Sequence, residues 1–190
     1  MLDLHSVGMQ RGMLYETIIT TTNPDKTPNA APIGVICKDK NEIVIYLHEG
    51  SHTVKNIKNN SIFTVNILKD PMIFTESTLG NLSTDSFQEY QDNYAIRDSD
   101  AFLLAKVKDL KDVERKDQFG ISKTTIVRAD IEEIMINKDC VEPLNRAIYG
   151  VVEALVYLTR QEMVSGETEK LYHLRMKEIS RIVNKVGAPE

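Results

Sequence analysis

Between Tyr15 and Cys37 the chain reads Tyr15-Glu16-Thr17-Ile18-Ile19-Thr20-Thr21-Thr22, then Asn23-Pro24-Asp25-Lys26-Thr27-Pro28, then Asn29-Ala30-Ala31-Pro32-Ile33-Gly34-Val35-Ile36-Cys37. The first run is rich in β-branched residues, which pack well on a pleated surface, and the polar Pro-Asp connector marks a turn. The second run opens on small residues and Pro, which leave strand backbone uncovered. Bare backbone suits a flat ligand that hydrogen-bonds to main-chain N–H and C=O groups, so this stretch is a candidate platform for a cofactor ring. The same residues also fit an edge strand whose Pro32 blunts pairing.

One strand further on, Glu42-Ile43-Val44-Ile45-Tyr46-Leu47 leads through Gly50-Ser51-His52-Thr53 into the helix-like Val54-Lys55-Asn56-Ile57-Lys58-Asn59. The first N–H groups of a helix have no internal acceptor and carry the positive end of its dipole. They bind anions, with Ser51, Thr53 and Lys55 placed to help, so a phosphate fits here. A plain N-cap by Ser51 or Thr53 is the alternative. A ring platform and a phosphate cradle in neighbouring elements are more telling together than either is alone.

Six runs read as strands: Tyr15–Thr22, Asn29–Cys37, Glu42–Leu47, Ile62–Ile67, Ala101–Lys111 and Lys123–Ile136. Joined by short polar turns, they suffice to close a small barrel. Between Pro71 and Asp100 the pattern weakens, and Ser86-Phe87-Gln88-Glu89 has the form that starts a short helix. Five acids against the single Arg97 between Asp85 and Asp100 predict a solvated loop. Pro143 is well placed as a first helical residue, and Leu144, Ala147, Ile148, Val151, Leu155 and Leu158 then trace one helical face, with Val152, Val156 and Met163 widening it. So broad an apolar face predicts burial on two sides, against the barrel and against a second helix or subunit. A second helix is expected over Glu167–Val186, with Leu171, Leu174, Ile182 and Val186 inward and Gly187 as its stop. This divides the chain into a barrel over residues 1–139 and a helical hairpin over 140–190, packed on the barrel or on a dimer partner.

Composition removes several function classes. With 190 residues, 42% of them hydrophobic, the chain can build a core, and a net charge of -5 argues against a nucleic-acid partner. All of that negative charge lies ahead of Cys140. No apolar run approaches the ~20 residues of a membrane span, and the start carries no basic leader pattern. Cys37 and Cys140 have no C-x-x-C spacing, which points away from a disulfide framework or zinc knuckle and towards the cytoplasm. His5, His48, His52 and His173 show no metal-ligand spacing, so no metal is expected. Ser51-His52 is no hydrolase pair, because adjacent side chains diverge and no G-x-S-x-G elbow is present. Rossmann and P-loop glycine patterns are absent. Asn145-Arg146 and Arg160 on the first C-terminal helix could neutralise a phosphate, or form ordinary ion pairs.

Tyr15-Glu16-Thr17-Ile18-Ile19-Thr20-Thr21, Asn29-Ala30-Ala31-Pro32-Ile33-Gly34-Val35, Gly50-Ser51-His52-Thr53-Val54-Lys55-Asn56 and Ile62-Phe63-Thr64-Val65-Asn66 together resemble an uncharacterised, largely archaeal family of FMN-binding split-barrel proteins. The likeness extends through Asn145-Arg146-Ala147 and Glu153-Ala154 to Thr159-Arg160, nearly the whole chain. Asn29–Gly34 is its most specific piece. The hydroxyl loop is shared more loosely with flavin reductase-like and pyridoxamine phosphate oxidase-like barrels. The resemblance implies a mainly β fold with helices, a six-stranded FMN-binding split β-barrel plus the C-terminal hairpin, as a homodimer with FMN near the subunit interface. It places Asn29, Ala30, Ala31, Pro32 and Ile33 beside the isoalloxazine, Ser51, His52, Thr53 and Asn56 at the phosphate, and Asn66 as a further contact. It names no catalytic residue, as befits a protein whose flavin carries the electrons. The expected function is FMN binding, as a flavin-dependent oxidoreductase acting with a small-molecule electron donor or acceptor. A non-catalytic FMN-binding, storage or sensing module and a cofactor-free assembly protein are the alternatives.

Overall fold

A computed structural model describes residues 3–80, 82–117 and 120–187. The strands β1 (Leu14–Thr22), β2 (Pro28–Cys37), β3 (Glu42–His48), β4 (Ile62–Ile67), β7 (Ala101–Asp117) and β8 (Gly120–Ile136) form a closed barrel in the order β1-β2-β3-β8-β7-β4. Every pairing is antiparallel, and closure comes from β1 meeting β4 at Ile18↔Asn66 through Thr20↔Thr64. The fold is therefore the six-stranded split barrel that the sequence implied.

Thr17 to Thr22 of β1 are buried without a break, so both faces of the strand are covered. Tyr15 and Ile19 enter the barrel core with Val35, Ile45, Phe63, Val65, Leu103 and Val127. Ile18 faces outward into a second cluster with Leu68 and Ile96. The helix α1 (His52–Asn60) adds Val54 and Ile57 to the barrel core. The 3-10 turn Leu4–Val7, which no sequence pattern flagged, adds the fully buried Leu4, Val7 and Met9.

The stretch from Pro71 to Asp100 departs from expectation. It contains a helix, α2 (Pro71–Leu79), started by Asp70 accepting from Met72 N and by Pro71 in the first turn. Ser86-Phe87-Gln88-Glu89 does not begin a helix. Phe87–Tyr90 is strand β5, paired with β6 (Asn93–Ile96). Gln91 and Asp92, with φ of 48° and 61°, make the two-residue turn whose twist matches an antiparallel hairpin. Phe87, Ala95 and Ile96 are buried, so the apolar residues outweigh the capping pattern. The acidic segment expected as a solvated loop is this hairpin: Asp85, Glu89, Asp92 and Asp98 are exposed as expected, while Asp100 is buried and paired with Lys138 at 2.5 Å. Beyond the predicted limits of Lys111 and Lys123, β7 and β8 continue as a two-stranded arm to Asp117↔Gly120.

The helices α3 (Arg146–Arg160) and α4 (Glu167–Val186) form an antiparallel hairpin rooted on β1. Asn145 caps α3 by accepting from Ala147 N at 2.8 Å, and its amide donates to Leu14 O and Val186 O at 2.9 and 3.0 Å. The face of α3 turned to α4 runs through Gly150, where an added Cβ would stand 3.2 Å from Val183 Cγ2. Ile148, Val151, Leu155 and Leu158, expected to be covered, are exposed instead.

On the β3–β8–β7 wall, Glu42 is nearly buried and accepts from Arg128 at 2.7 Å and Lys108 at 3.0 Å. Those hydrogen bonds, Arg128's first, lower its pKa below the usual carboxylate range. A depressed folded-state pKa contributes stability that is present above the unfolded value of roughly 4.3 and is lost as pH falls through the folded value. Denaturant titrations should therefore show wild-type stability dropping more steeply below about pH 4 than that of Glu42→Gln. Parallel pH profiles for the two proteins would remove Glu42 as a source of acid sensitivity.

Candidate functional site

Gly50, at φ 92°, turns the chain after β3 into α1. Ser51 caps the helix, its Oγ accepting from Val54 N at 3.3 Å. His52 and Thr53 precede the first internal helix bond, from Lys55 N to Ser51 O at 3.4 Å, so their N–H groups remain available. No acidic side chain stands in this first turn, and Ser51, His52 and Lys55 are exposed. The turn thus presents the positive end of a nine-residue helix together with a lysine.

Thr21 organises what lies beside it. Its Oγ1 accepts from Asn29 Nδ2 at 3.1 Å and from Asn56 Nδ2 at 3.0 Å. Asn29 Nδ2 also reaches Thr53 Oγ1 at 3.1 Å, tying the start of β2 to the first turn of α1. Asn56 spends its other contact on Asn23 Oδ1 at 2.8 Å, so this buried amide fixes the β1–β2 turn. Asn29, Thr53 and Asn56 are thereby brought together, with Ser51 and His52 on the solvent side. Thr21 and Asn23 were missed by sequence reasoning. The visible signal was Thr20-Thr21-Thr22, where strand alternation sends the middle hydroxyl to the opposite face from its neighbours.

The strand that carries Ala30 to Ile33 has one neighbour along much of its length. β2 follows β1 from Thr22↔Pro28 to Leu14↔Ile36, but meets β3 only from Val35↔Ile45 to Cys37↔Ile43. From Tyr46 to His48 β3 stays with β8 alone. Pro28 to Gly34 therefore form an open edge, half-buried throughout, whose alternate main-chain groups face away from β1 without a strand partner. The edge-strand reading of this run is what the pairing shows, and the edge leaves small-residue backbone without a strand partner. Ala30, like Ile73 and Phe74 of α2, packs against the outer cluster of Ile18, Leu68 and Ile96, while Ile33 packs against the barrel core and its carbonyl accepts from Thr17 Oγ1 at 3.0 Å.

Asn66 stands apart from this group. Fully buried on β4, it donates to Ile18 O at 2.9 Å and Thr20 Oγ1 at 3.0 Å, and accepts from Ile96 N at 2.7 Å. Thr20 and Thr21 point to opposite faces of β1, so Asn66 serves the outer hairpin rather than the α1 groove. Among the described residues no three His, Cys, Asp or Glu side chains converge on one point. The Cys37 thiol is pushed up to about 11, mainly by burial and next by Asp39, so it stays protonated at neutral pH.

A cavity of about 520 Å³ opens on the outer face of the same sheet, beginning at Gly34 where the open edge ends. Tyr46 and His48 of β3 and Ile126 of β8 continue its floor, and Arg146 and Lys185 of the helical hairpin stand over it. None of the residues expected to contact the cofactor lines it.

The family model described as the N-terminal domain of a protein of unknown function, DUF447, matches residues 15–138. An uncharacterized protein of Methanocaldococcus jannaschii is 30% identical over 182 residues, which cover 93% of this chain and 92% of that protein. A crystal structure of an FMN-bound protein of the same family from Methanosarcina mazei superposes with a TM-score of 0.60 at 25% identity, covering 98% of this chain and 93% of that one. The styrene monooxygenase flavin reductase of Pseudomonas putida, 12% identical, shares the fold with a TM-score of 0.52 over 73% of this chain and 88% of its own.

Proposed function

The chain belongs to the DUF447 family, and from that membership we propose that it binds FMN in the groove between the open edge of β2 and the first turn of α1. The observation that carries this reading is the Asn29–Thr53 hydrogen bond of 3.1 Å, which joins a bare strand edge to a helix start with unused N–H groups. The FMN-bound relative from Methanosarcina mazei supports it. The ring lies along Asn29 to Ile33, where main-chain groups hydrogen-bond its polar edge. The phosphate sits at Ser51, His52 and Thr53, with Lys55 as the cation of that turn. Asn56 holds Thr21 and Asn23 in place and shapes the groove from behind.

Bound FMN supplies one- and two-electron chemistry at its ring, and the chain positions it and controls access. On that basis the protein is a flavin-dependent oxidoreductase that works with a small-molecule donor or acceptor. The flavin reductase-like barrel carries the class of reaction only by analogy of fold. Two free cysteines accord with a reducing cytoplasm. The apolar stripe exposed on α3 supports a homodimer as the working form.

FMN should bind at least about tenfold more tightly than riboflavin, because the phosphate gains charge-assisted hydrogen bonds at the α1 start. Flavin fluorescence titration measures both, and equal affinities would remove the phosphate from that turn. Reduction of the bound flavin by a nicotinamide or deazaflavin donor separates the oxidoreductase from a storage or sensing module, which binds FMN without turnover.

Thr53→Ala separates ligand contact from structure at the same place. If the Thr53 hydroxyl donates to phosphate, FMN affinity falls by about 1.5–3 kcal/mol. If Thr53 only anchors Asn29, the apo protein unfolds at lower urea by ~1 kcal/mol while the folded fraction binds FMN as before.

A further inference from the structure

The cavity that begins at Gly34 takes no part in the FMN groove, yet its volume of about 520 Å³ falls within the range of small-molecule sites. Its floor combines a flat apolar portion with polar positions. The Leu14 side chain lies over Gly34, its Cδ2 3.0 Å from where a Cβ would stand, so the two form one apolar part of the floor. Ile36 and Ile126 surround it, and Tyr46 and His48 edge it with hydrogen-bonding groups. Among the described residues the helical hairpin contributes two cations, Arg146 from the start of α3 and Lys185 from the last turn of α4. Glu16 is the only carboxylate lining the cavity among the described residues, and it is paired with Arg146 Nε at 2.5 Å. Lys185 has no ion-pair partner among the described residues. The lining therefore carries a net positive charge over a flat apolar floor, although the protein as a whole is at -5.

We propose that this cavity binds a second small molecule beside the flavin, a planar compound with one acid group: the ring on the Gly34–Ile126 floor and the carboxylate or phosphate at Lys185 and Arg146. The acid gains charge-assisted hydrogen bonds from the two cations while the ring covers apolar strand residues. The place of this ligand beside the flavin rests on the FMN reading. The pocket and its charge do not.

Benzoate and phenyl phosphate serve as probes, each titrated calorimetrically into FMN-loaded protein and into apo protein, with toluene sulfonamide as an uncharged planar control. At least one acid should bind at millimolar concentration or better, the control should not, and the preferred acid identifies carboxylate or phosphate as the natural group. Binding should weaken as salt is raised, because an open cationic site is screened. Lys185→Glu should reduce acid binding at least fivefold, and Ile126→Phe, which narrows the cavity without changing charge, should do the same. FMN affinity should change less than twofold in both variants, and circular dichroism identifies any variant that fails to fold. Absence of binding by both acids, or equal binding of the sulfonamide, overturns the proposal. Parallel loss of FMN and acid affinity in both variants also overturns it, because the cavity would then belong to the flavin. Acid binding to a protein that takes up no FMN would leave the cavity intact and remove the flavin reading instead.

Discussion

Val152→Glu is expected to convert the protein from dimer to monomer. Ile148, Val151, Val152, Leu155 and Leu158 recur at helical spacing along one side of α3, and each is between 47% and 57% exposed in the single chain. The opposite side, at Gly150, lies against Val183 and Ile179 of α4, so the hairpin covers only half of the apolar circumference. Its attachment to the barrel is confined to the root, where Glu16 N donates to Leu144 O at 2.8 Å and Asn145 bridges Leu14 and Val186. A projecting helix with this exposed stripe fits a second copy that supplies the same stripe, as two-fold symmetry requires.

A carboxylate placed in the middle of that stripe must be desolvated in the dimer and meets its own counterpart across the axis. That costs about 3 kcal/mol or more, at least a hundredfold in the dimer constant. Sedimentation at micromolar concentration should give a dimer for wild type and a monomer for the variant. If the FMN site is completed by the partner, FMN affinity should fall with assembly by roughly tenfold, because ligand and partner binding are linked. Val152 is a better probe than Val156, which is half-buried and whose substitution would also disturb the hairpin itself. A wild-type monomer that binds FMN fully would remove both the interface and the shared site.

Asn66→Ala is expected to lower the stability of the apo protein by about 2–5 kcal/mol, since Ile18 C=O and Ile96 N–H lose their side-chain partner, each costing about 1–3 kcal/mol when left unsatisfied, and the Thr20 hydroxyl loses one of its two contacts. The groups are Ile18 C=O and the Thr20 hydroxyl on β1 and Ile96 N–H on β6, so Asn66 ties the barrel to the outer hairpin. Thr20 also donates to Tyr94 O, so the loss spreads into the β5–β6 hairpin. Urea unfolding of the apo form reads this directly. The contrary result, unchanged apo stability with weakened FMN binding, would make Asn66 a cofactor ligand, as its place in the family resemblance implied.

Chain chemistry fixed the barrel strands almost to the residue wherever a β-branched run met a turn. β1 begins at Leu14 rather than Tyr15, β2 at Pro28 rather than Asn29, and β4 is Ile62–Ile67 as read. Local pattern suffices there because Pro, Asp and Gly terminate each run and nothing competes with the strand preference. The helical period after Pro143 and the stop at Gly187 were legible for the same reason, but not the helix start: Pro143 reads as a first helical residue, whereas Leu144 pairs with Glu16 and Asn145 caps a helix that begins at Arg146. So was the small-residue strand, because Ala30, Ala31, Pro32 and Gly34 are chemically unlike any packed strand.

What the sequence could not supply depends on distance. The β5–β6 hairpin is short, acidic and stable only because Phe87, Ala95 and Ile96 are buried by β1 and β4 elements far away in the chain, so its local capping signal misled. Three asparagines look alike as letters. Contacts with Thr21 and Asn23 make Asn56 a brace, contact with Thr53 makes Asn29 the hinge of the groove, and contacts with Ile18 and Ile96 make Asn66 a tie for the outer hairpin. The apolar width of α3 was plain in the sequence, but which half faces α4 and which is left for a partner was not. An amphipathic stripe states that burial must occur, and only the packing of Gly150 against Val183 decides where.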